Sequence, residues 1–410
     1  MLSRITFCLT VLIAVAAVAP IPPVMAQEVN GVYTDASTKD LGDLTGVAAF
    51  KGIKVRGWLE GYYAWNANRP DKVTVNANQG SSVLRASDLT IEGRTFDVKA
   101  ESLRLNLAEI EIEKVPERGR FGFKVDLAGG DTQDILYDTI RAIAPGSVEG
   151  WDRIVQHASV SYLAPLGSGL RIDVGKFVTH IGMESIESIK NRNFSHDWLY
   201  SYAIPFQDTG LRLNYNFNPK VYGEIYVLKG WNVTYDNNDR RSYGLSVGWN
   251  PSEKLSFTAN YLGGPERNGD DYDRRDLLDL QLTYALSSTL STAVNVDFGR
   301  DALALPEGRD ANWGGIAVYL RKNVGDRFSP TLRVEYFSDP QGFTTGVAQH
   351  VVDLTLTGDT RVGGRTSFVK LLLRPEVRYD RSDAPFFTDH DRFRDRKDQF
   401  TAALAAVLWF

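Results

Sequence analysis

One short motif in this chain has the spacing of a catalytic pair. His157 and Ser159 lie two residues apart in an alternating segment, which would put a base and a nucleophile on one face of a β-strand. Val160 and Tyr162 occupy the apolar face of the same segment, so the pair points to the polar side. A membrane lipase would need the opposite orientation. We therefore predict no catalytic residues and a protein that is not an enzyme.

Metal chemistry is equally disfavoured. The acidic runs 236–239 and 270–273 are rich in oxygen ligands for Ca²⁺ or Mg²⁺, but neither follows the twelve-residue spacing of a dedicated calcium loop. Solvated loops are the better interpretation. The remaining histidines have no metal-ligand spacing, and the single cysteine, Cys8, lies in the apolar part of an N-terminal signal-like segment. We predict no metal and no cofactor.

The N-terminal residues predict export. Arg4 gives the positive start of a signal peptide, an apolar stretch follows, and a small-x-small cleavage site ends at Ala26. We expect a signal peptide over 1–26, a short leader over 27–52 and one domain over 53–410. The chain has 46 basic and 51 acidic residues, and this mild acidity argues against nucleic acid as a partner.

The elements that must position any site are strands. No later segment has the roughly 18 consecutive apolar residues of a membrane-spanning helix, whereas segments of about ten residues alternate between apolar and polar, as membrane β-strands do. Between Phe121 and Leu127, for example, apolar residues alternate with Gly122, Lys124 and Asp126. The alternation predicts strands near 53–65, 101–113, 119–128, 153–164, 169–177, 208–217, 220–231, 241–250, 254–263, 275–287, 289–299, 312–322, 329–338, 349–358, 366–380 and 398–410.

The links between these strands alternate in length. Short links such as 165–168 and 218–219, rich in Pro, Gly and Asn, alternate with long ones such as 129–152 and 300–311. Short periplasmic turns and long external loops produce this alternation in a membrane barrel, whereas a soluble β-sandwich has no reason to sort its loops by length. We predict an all-β fold, a transmembrane antiparallel up-and-down barrel of about sixteen strands in the bacterial outer membrane.

The last predicted strand supports the same fold. Phe400, Leu404, Leu408 and Phe410 share one face at period two, and Trp409 lies beside the end. A terminal aromatic on a closing strand fits the interfacial girdle of a barrel. The alternative is the buried last strand of a secreted soluble sandwich. We expect Phe410 to be the assembly signal recognised by the outer-membrane assembly machinery.

A further series of motifs lies in the segment 175–210. It consists of Gly175-Lys176-Phe177-Val178-Thr179, Gly182, Glu184, Ile186-Glu187, Asn191, Asn193-Phe194-Ser195, Tyr202-Ala203-Ile204-Pro205-Phe206 and Thr209-Gly210. This series resembles the β-barrel porin type 2 family, also called OmpL-like. The resemblance implies an outer-membrane barrel for passive transport, without a cofactor, and it does not specify a solute.

Charged residues on the strands are expected inside the barrel, because a charge facing lipid is costly. Sixteen strands enclose an aqueous channel rather than a packed core. The predicted pore-lining residues are Arg56, Arg104, Arg171, Asp173, Arg212, Arg321, Arg333, Glu335, Arg374 and Arg378. The alternative is a set of structural ion pairs in the wall. If the wall sets the narrowest section, the arginine excess predicts a modest anion preference.

The connection 178–207 is long enough to fold into the lumen and form a constriction. The candidate residues for its polar edge are Glu184, Glu187, Lys190, Arg192, His196 and Asp197. Trp198, Tyr200, Tyr202 and Phe206 would pack the loop against the wall. If this loop sets the narrowest section, its glutamates offset the anion preference or reverse it. The alternative is an external loop in contact with lipopolysaccharide.

The sequence therefore predicts a porin through which small hydrophilic solutes diffuse passively in a charged aqueous lumen. The expected partners are outer-membrane lipid and lipopolysaccharide, the assembly machinery, small polar solutes and two further copies of the chain in a homotrimer. The alternative function is a barrel whose lumen is plugged by the loops 66–100 and 178–207 and which acts in binding or in envelope structure.

Overall fold

Sixteen antiparallel strands form a closed barrel. The computed structural model describes residues 39–70, 73–75, 86–363, 369–390 and 392–410, so the predicted signal peptide and part of the predicted leader lie outside the described residues. Consecutive strands pair with each other, and the first pairs with the last. The strands are β1 (Lys54–Asn66), β2 (Leu103–Lys114), β3 (Phe121–Gly129), β4 (Val155–Ala164), β5 (Leu170–Val178), β6 (Gln207–Asn218), β7 (Val221–Leu228), β8 (Ser242–Ser252), β9 (Leu255–Pro265), β10 (Arg274–Ala285), β11 (Leu290–Leu305), β12 (Arg309–Lys322), β13 (Phe328–Asp339), β14 (Gln349–Val362), β15 (Lys370–Ser382) and β16 (Asp398–Trp409).

The connections between the strands contain several short elements. The helices are α1 (Leu41–Thr45), α2 (Asp131–Ile143) and α3 (Trp198–Tyr202), and single 3-10 turns occur at Ala48–Phe50, Gly150–Arg153, Ser188–Lys190 and Pro306–Gly308. The strand Lys39–Asp40 pairs with the start of β1, and two small ribbons are formed by Val73–Val75 with Ala86–Leu89 and by Phe387–Asp389 with Arg392–Arg396. Among the described residues, every helix is too short or too polar to cross a membrane.

The period-two alternation determines which side of each strand faces outwards. On β16, Phe400, Leu404 and Leu408 are exposed on the outer surface, whereas Thr401 and Trp409 are buried on the inner side. Successive side chains of a strand point to opposite faces, and an apolar outer face with a polar interior is what a lipid-embedded barrel needs. The predicted faces and the predicted barrel are confirmed.

All sixteen predicted strands are present, with shifts of a few residues at their ends. The predicted long link 300–311 is wrong, because β11 continues to Leu305 and β12 begins at Arg309. The backbone reverses at Glu307 and Gly308, which have φ values of 65° and 68°. A tight turn therefore joins two strands that extend as a hairpin, where the weaker alternation had suggested an open loop.

The seam of the barrel involves Phe410. Its backbone N–H donates to the carbonyl of Gly57 at 3.0 Å, and the Gly57 N–H donates back to the Phe410 carbonyl at 3.3 Å. A Cβ atom on residue 57 would lie 2.5 Å from the Phe410 ring. The missing side chain of Gly57 therefore creates the space that this ring fills, and the ladder between β1 and β16 continues to Phe410.

Candidate functional site

The connection between β5 and β6, residues 179–206, lies inside the barrel and is called the inner loop below. Trp313 on β12 donates its indole N–H to the carbonyl of Ala203 at 3.0 Å, and Trp198 in α3 is fully buried. In a ring of sixteen strands, β13 lies opposite β5. Because the inner loop starts at β5 and reaches the wall formed by β12 to β15, it spans the lumen.

Carboxylates of that far wall accept backbone N–H groups of the inner loop. Glu335 on β13 accepts from Trp198 and Leu199, both at 2.8 Å. Glu376 on β15 accepts from Phe194 at 2.8 Å. Both glutamates are buried, and hydrogen bonds to a charged acceptor are stronger than neutral ones. These two wall residues therefore fix the position of α3 and of the segment before it.

Arginines of the same wall donate to carbonyl groups of the inner loop. Arg333, Arg374 and Arg378 are at most 1% exposed. Their guanidinium groups reach the carbonyls of Ser195 (2.7 Å), Asn191 (2.9 Å) and His196 (2.6 Å), respectively. They also form ion pairs on the wall, Arg333 with Asp353 at 3.0 Å, Arg374 with Asp359 at 2.7 Å and Arg378 with Asp353 and Asp380 at 2.5 and 2.8 Å. Each of these arginines is therefore ion-paired on the wall and also holds the inner loop through a backbone carbonyl.

The ten predicted pore-lining residues all lie on the inner side of the barrel, but they divide into two groups. Arg321, Arg333, Glu335, Arg374 and Arg378 are buried on β12, β13 and β15. The other arginine side chains keep roughly a quarter to a third of their surface exposed and are also paired: Arg56 with Glu111 and Glu113, Arg104 with Asp131 (2.6 Å), and Arg171 and Arg212 with the buried Asp173 (2.8 and 2.9 Å).

Sequence reasoning missed the carboxylates that pair with these arginines. Asp353 and Asp359 lie on β14 and Asp380 lies on β15, all fully buried. The parity that assigned Arg374 and Arg378 to the inner side also selects Asp380, because the three residues are separated by even numbers of positions. That signal was present in the sequence and would have shown a balanced wall rather than an arginine-rich one.

Most of the six candidate residues of the inner loop form contacts with other residues inside the barrel. Glu184 and Asp197 both accept from the hydroxyl of Tyr319, and Glu184 also pairs with Arg333 at 3.3 Å. Burial raises the pKa of both acids. Glu187 pairs with Lys190 at 3.2 Å. The polar edge expected to face an open pore is therefore mostly satisfied by the loop itself and by the wall.

His196 and Arg192 complete this set. The His196 ring bonds the carbonyl of Ser185 at 2.7 Å and packs edge-on against Phe96. Burial lowers its pKa to about 4, so the imidazole is neutral at pH 7. Burial also lowers the pKa of Arg192 to about 10, and its guanidinium lies 5.8 Å from the centre of the Tyr319 ring. Arg192 also lines a cavity beside the inner loop.

A second buried segment, residues 90–98 of the β1–β2 connection, packs on the inner loop. Arg94 pairs with Asp97 at 3.4 Å and with Asp380 at 3.5 Å, and Phe96 packs against Phe206. Burial raises the pKa of Asp97 to about 6. Both connections named in the plugged-barrel alternative thus contribute residues to the interior.

One cavity of about 320 Å³ lies between the start of the inner loop and the wall formed by β6 to β10. Its wall carries uncharged hydroxyl and amide groups from Ser246, Thr258, Asn260, Gln281 and Thr283. The interior is therefore asymmetric. The charged wall of β12 to β15 is covered by the inner loop, whereas the wall that faces the cavity carries mostly hydroxyl and amide groups together with Arg212 and Glu224.

The structure places the two residues of the predicted His–Ser motif within hydrogen-bond distance. The His157 Nε2 and Ser159 Oγ atoms are 2.8 Å apart, and both side chains are buried in the interior. The Asp126 carboxylate is 4.0 Å from His157 Nδ1, which is too long for a hydrogen bond that would orient the ring.

The acidic groups that could attract a metal have cations or hydrogen-bond donors close to them. Glu109, Glu111 and Asp126 lie close together, and Lys124 and Lys190 approach Glu111 at 3.5 and 3.9 Å. In the run 236–239, Asp236 pairs with Arg241, and in 270–273, Asp270 and Asp273 pair with Arg267. The two runs lie in external loops, as expected from the sequence.

Comparison with known proteins agrees with this architecture. Residues 52–410 match the model of the family described as beta-barrel porin-2, OmpL-like. The fold is similar to the outer membrane channel DcaP of Acinetobacter baumannii (10% identity, 87% of this chain, 97% of that chain, TM-score 0.53), to an anion-selective porin from Comamonas acidovorans (10%, 87%, 99%, 0.54) and to OprB of Pseudomonas putida (10%, 90%, 97%, 0.53). Curated protein sequences gave no significant match. The chain belongs to the OmpL-like beta-barrel porin-2 family.

Proposed function

We propose that this protein is an outer-membrane porin through which small hydrophilic solutes diffuse passively. The observation that carries the proposal is the polar cavity between the inner loop and the wall of β6 to β10. Ser256 is the second residue of β9, and Thr283 is two residues from the end of β10, so the cavity extends towards the end of the barrel with the short turns. Solutes would pass beside the loop, which narrows the lumen.

Selection in this pathway would come from width and from neutral polar groups. The arginines of β13 and β15 are ion-paired and covered. Arg212 lines the cavity and shares Asp173 with Arg171. The charged residues that line the cavity, Arg192, Arg212 and Glu224, already have partners in the barrel, which limits the field that they exert along the pathway. The proposal therefore includes weak ion selectivity in place of the anion preference that an arginine excess would give.

The proposed function also implies that the chain is exported and that it has partners in the outer membrane. We infer that the signal peptide is cleaved after Ala26 and that residues 27–52 form a leader before the barrel. The apolar outer surface supports a lipid environment, and the external loops would contact lipopolysaccharide. The packing of Phe410 against Gly57 at the seam supports recognition of Phe410 by the assembly machinery. We also propose a homotrimer, and a role without enzymatic activity.

A second candidate function is a loop-plugged barrel for binding or envelope structure. It is favoured by the two buried segments inside the lumen, since Trp198 of the inner loop and Phe96 of the segment 90–98 are almost completely buried. Planar-bilayer recording of the refolded protein separates the two functions. Stepwise conductance, together with liposome permeability that falls with solute size, is expected for the porin. A variant lacking residues 184–201 serves as the insertion control, because removing the inner loop should leave a wide channel. A silent wild type beside a conducting deletion variant would favour the plugged barrel.

A further inference from the structure

Two tyrosines of β7 form an aromatic surface on the wall of the cavity beside the inner loop. Tyr222 and Tyr226 on β7 point inwards and stand opposite Gly248 and Gly244 of β8 in the strand register. A Cβ atom on residue 248 would lie 1.9 Å from the Tyr222 ring, and one on residue 244 would lie 3.0 Å from Tyr226. The two glycines therefore make the room in which these tyrosines lie against the wall.

The two tyrosines differ in what covers them. The ring of Tyr226 is stacked on His180, with centroids 3.9 Å apart and planes inclined by 16°, and its hydroxyl bonds Glu224. Tyr226 is buried, whereas Tyr222 is partly exposed and lines the cavity. Tyr222 is thus the ring of this pair that a solute in the cavity can reach.

Most of the polar groups that line the cavity with Tyr222 are hydroxyl or amide groups. Ser246, Thr258, Gln281 and Thr283 line the cavity. Hydroxyl and amide side chains both donate and accept hydrogen bonds. Sugar hydroxyls also both donate and accept hydrogen bonds. This lining therefore complements a sugar better than an ion, because an anion needs only donors and a cation needs only acceptors.

The charged groups at the cavity are already committed. Arg212 pairs with Asp173 at 2.9 Å and lies over the Phe177 ring at 5.4 Å. Glu224 accepts from the Asn214 side-chain amide at 2.7 Å and from Tyr226. Arg192 lies over the Tyr319 ring. An anion or a cation entering the cavity would have to compete with these contacts.

We propose that this cavity is a binding subsite for uncharged polyhydroxylated solutes of the saccharide class, with Tyr222 as the stacking surface. A partly exposed ring in a cavity that also presents hydroxyl and amide groups is suited to a sugar, which has an apolar C–H face and a rim of hydroxyls. The inference rests on the proposed function for its role in transport, since a subsite in the pathway would favour sugars over other solutes of equal size.

Saturation-transfer NMR on the refolded full-length barrel in detergent, with maltose as the probe, tests the subsite directly. Magnetisation transfer to maltose is expected for the wild type, and the half-saturating maltose concentration should rise roughly two- to tenfold in Tyr222→Ala. Tyr243→Ala is the matched control, because Tyr243 lies on the neighbouring strand and is exposed on the outer surface. Tyr222→Phe keeps the ring and should bind maltose nearly as well as the wild type.

Absence of transfer in the wild type, or equal half-saturation in Tyr222→Ala and Tyr243→Ala, would overturn the subsite. Displacement of maltose by equimolar citrate would overturn it in favour of an anion site. Conductance of the same preparations is measured separately. A barrel that binds maltose but does not conduct would refute the transport function and leave the subsite intact. A barrel that conducts but does not bind maltose would refute the subsite and leave the transport function intact.

Discussion

Glu335 provides the sharpest test of how the inner loop is held. Its two carboxylate oxygens accept the backbone N–H groups of Trp198 and Leu199, each at 2.8 Å. The substitution Glu335→Gln preserves the size of the side chain but replaces one acceptor oxygen with an NH₂ group. One buried loop N–H then loses its partner. Hydrogen bonds to charged groups contribute about 1.5–3 kcal/mol, and each 1.4 kcal/mol is about a tenfold change in population. The released loop should become roughly 10- to 150-fold more populated.

A buried thiol can report this release. Ser201 lies in α3, is fully buried and bonds the carbonyl of Asp197 at 2.7 Å. The single cysteine of the sequence is Cys8, so after the predicted cleavage Ser201→Cys would carry the only thiol. Maleimide labelling of this thiol should accelerate by the same factor in the Glu335→Gln background, because labelling follows the open population when opening and closing are fast.

The control is Glu113→Gln, an equally conservative change on β2, where Glu113 pairs with Arg56 at 3.3 Å. Labelling of the thiol at position 201 should remain at the wild-type rate in this variant. Equal labelling rates in the Glu335→Gln and Glu113→Gln backgrounds would refute the claim that Glu335 holds the loop.

Three further predictions concern the seam, the wall and the inner loop. Gly57→Leu should displace the Phe410 ring and lower the heat-modifiable folded fraction on gels, as should Phe410→Asp; unchanged folding of both would show that the seam does not need this contact. Arg212→Ser leaves Asp173 with one arginine fewer and should shift the reversal potential in a salt gradient towards cations, with a smaller shift at high salt; an unchanged potential would place Arg212 outside the conduction path. Because burial lowers the pKa of His196 from 6.5 to about 4, the docked loop binds this proton less tightly than a released loop and loses stability as pH falls from about 6.5 to about 4. Burial raises the pKa of Glu184 and Asp197, which has the opposite effect on the loop, so the prediction concerns the difference between two proteins. Single-channel closures and openings should increase more in the wild type than in His196→Gln as pH falls through that window, and identical pH profiles would contradict it.

The barrel could be predicted from sequence because one physical constraint acts on every strand. Lipid on one side and water on the other enforce an alternation of period two, so the faces of β16 follow directly from Phe400 and Thr401. The hairpin around Glu307 was not predicted, because its strands extend beyond that constraint into the external region.

The interior was less accessible to sequence reasoning. Parity places Arg333 and Arg378 on the inner side, but it does not say whether water or a loop covers them. That depends on contacts across the lumen, such as Glu335 with Trp198, between residues 137 positions apart. The motif series in 175–210 turned out to be largely the inner loop itself, with its flanking strand ends. Its Asn and Ser residues make sense only beside the far wall, as Asn193 shows by donating to Thr357.

The anchoring of the inner loop also sets an order of events during assembly. Ser188 and Asn191 depend on Arg374, which lies 183 or more positions later in the chain. Contacts of such long sequence separation form late, because the intervening chain must first be ordered. We therefore expect Ser188 and Asn191 to reach their final positions only once β15 has joined the sheet. On that expectation the lumen reaches its final width with the last strands.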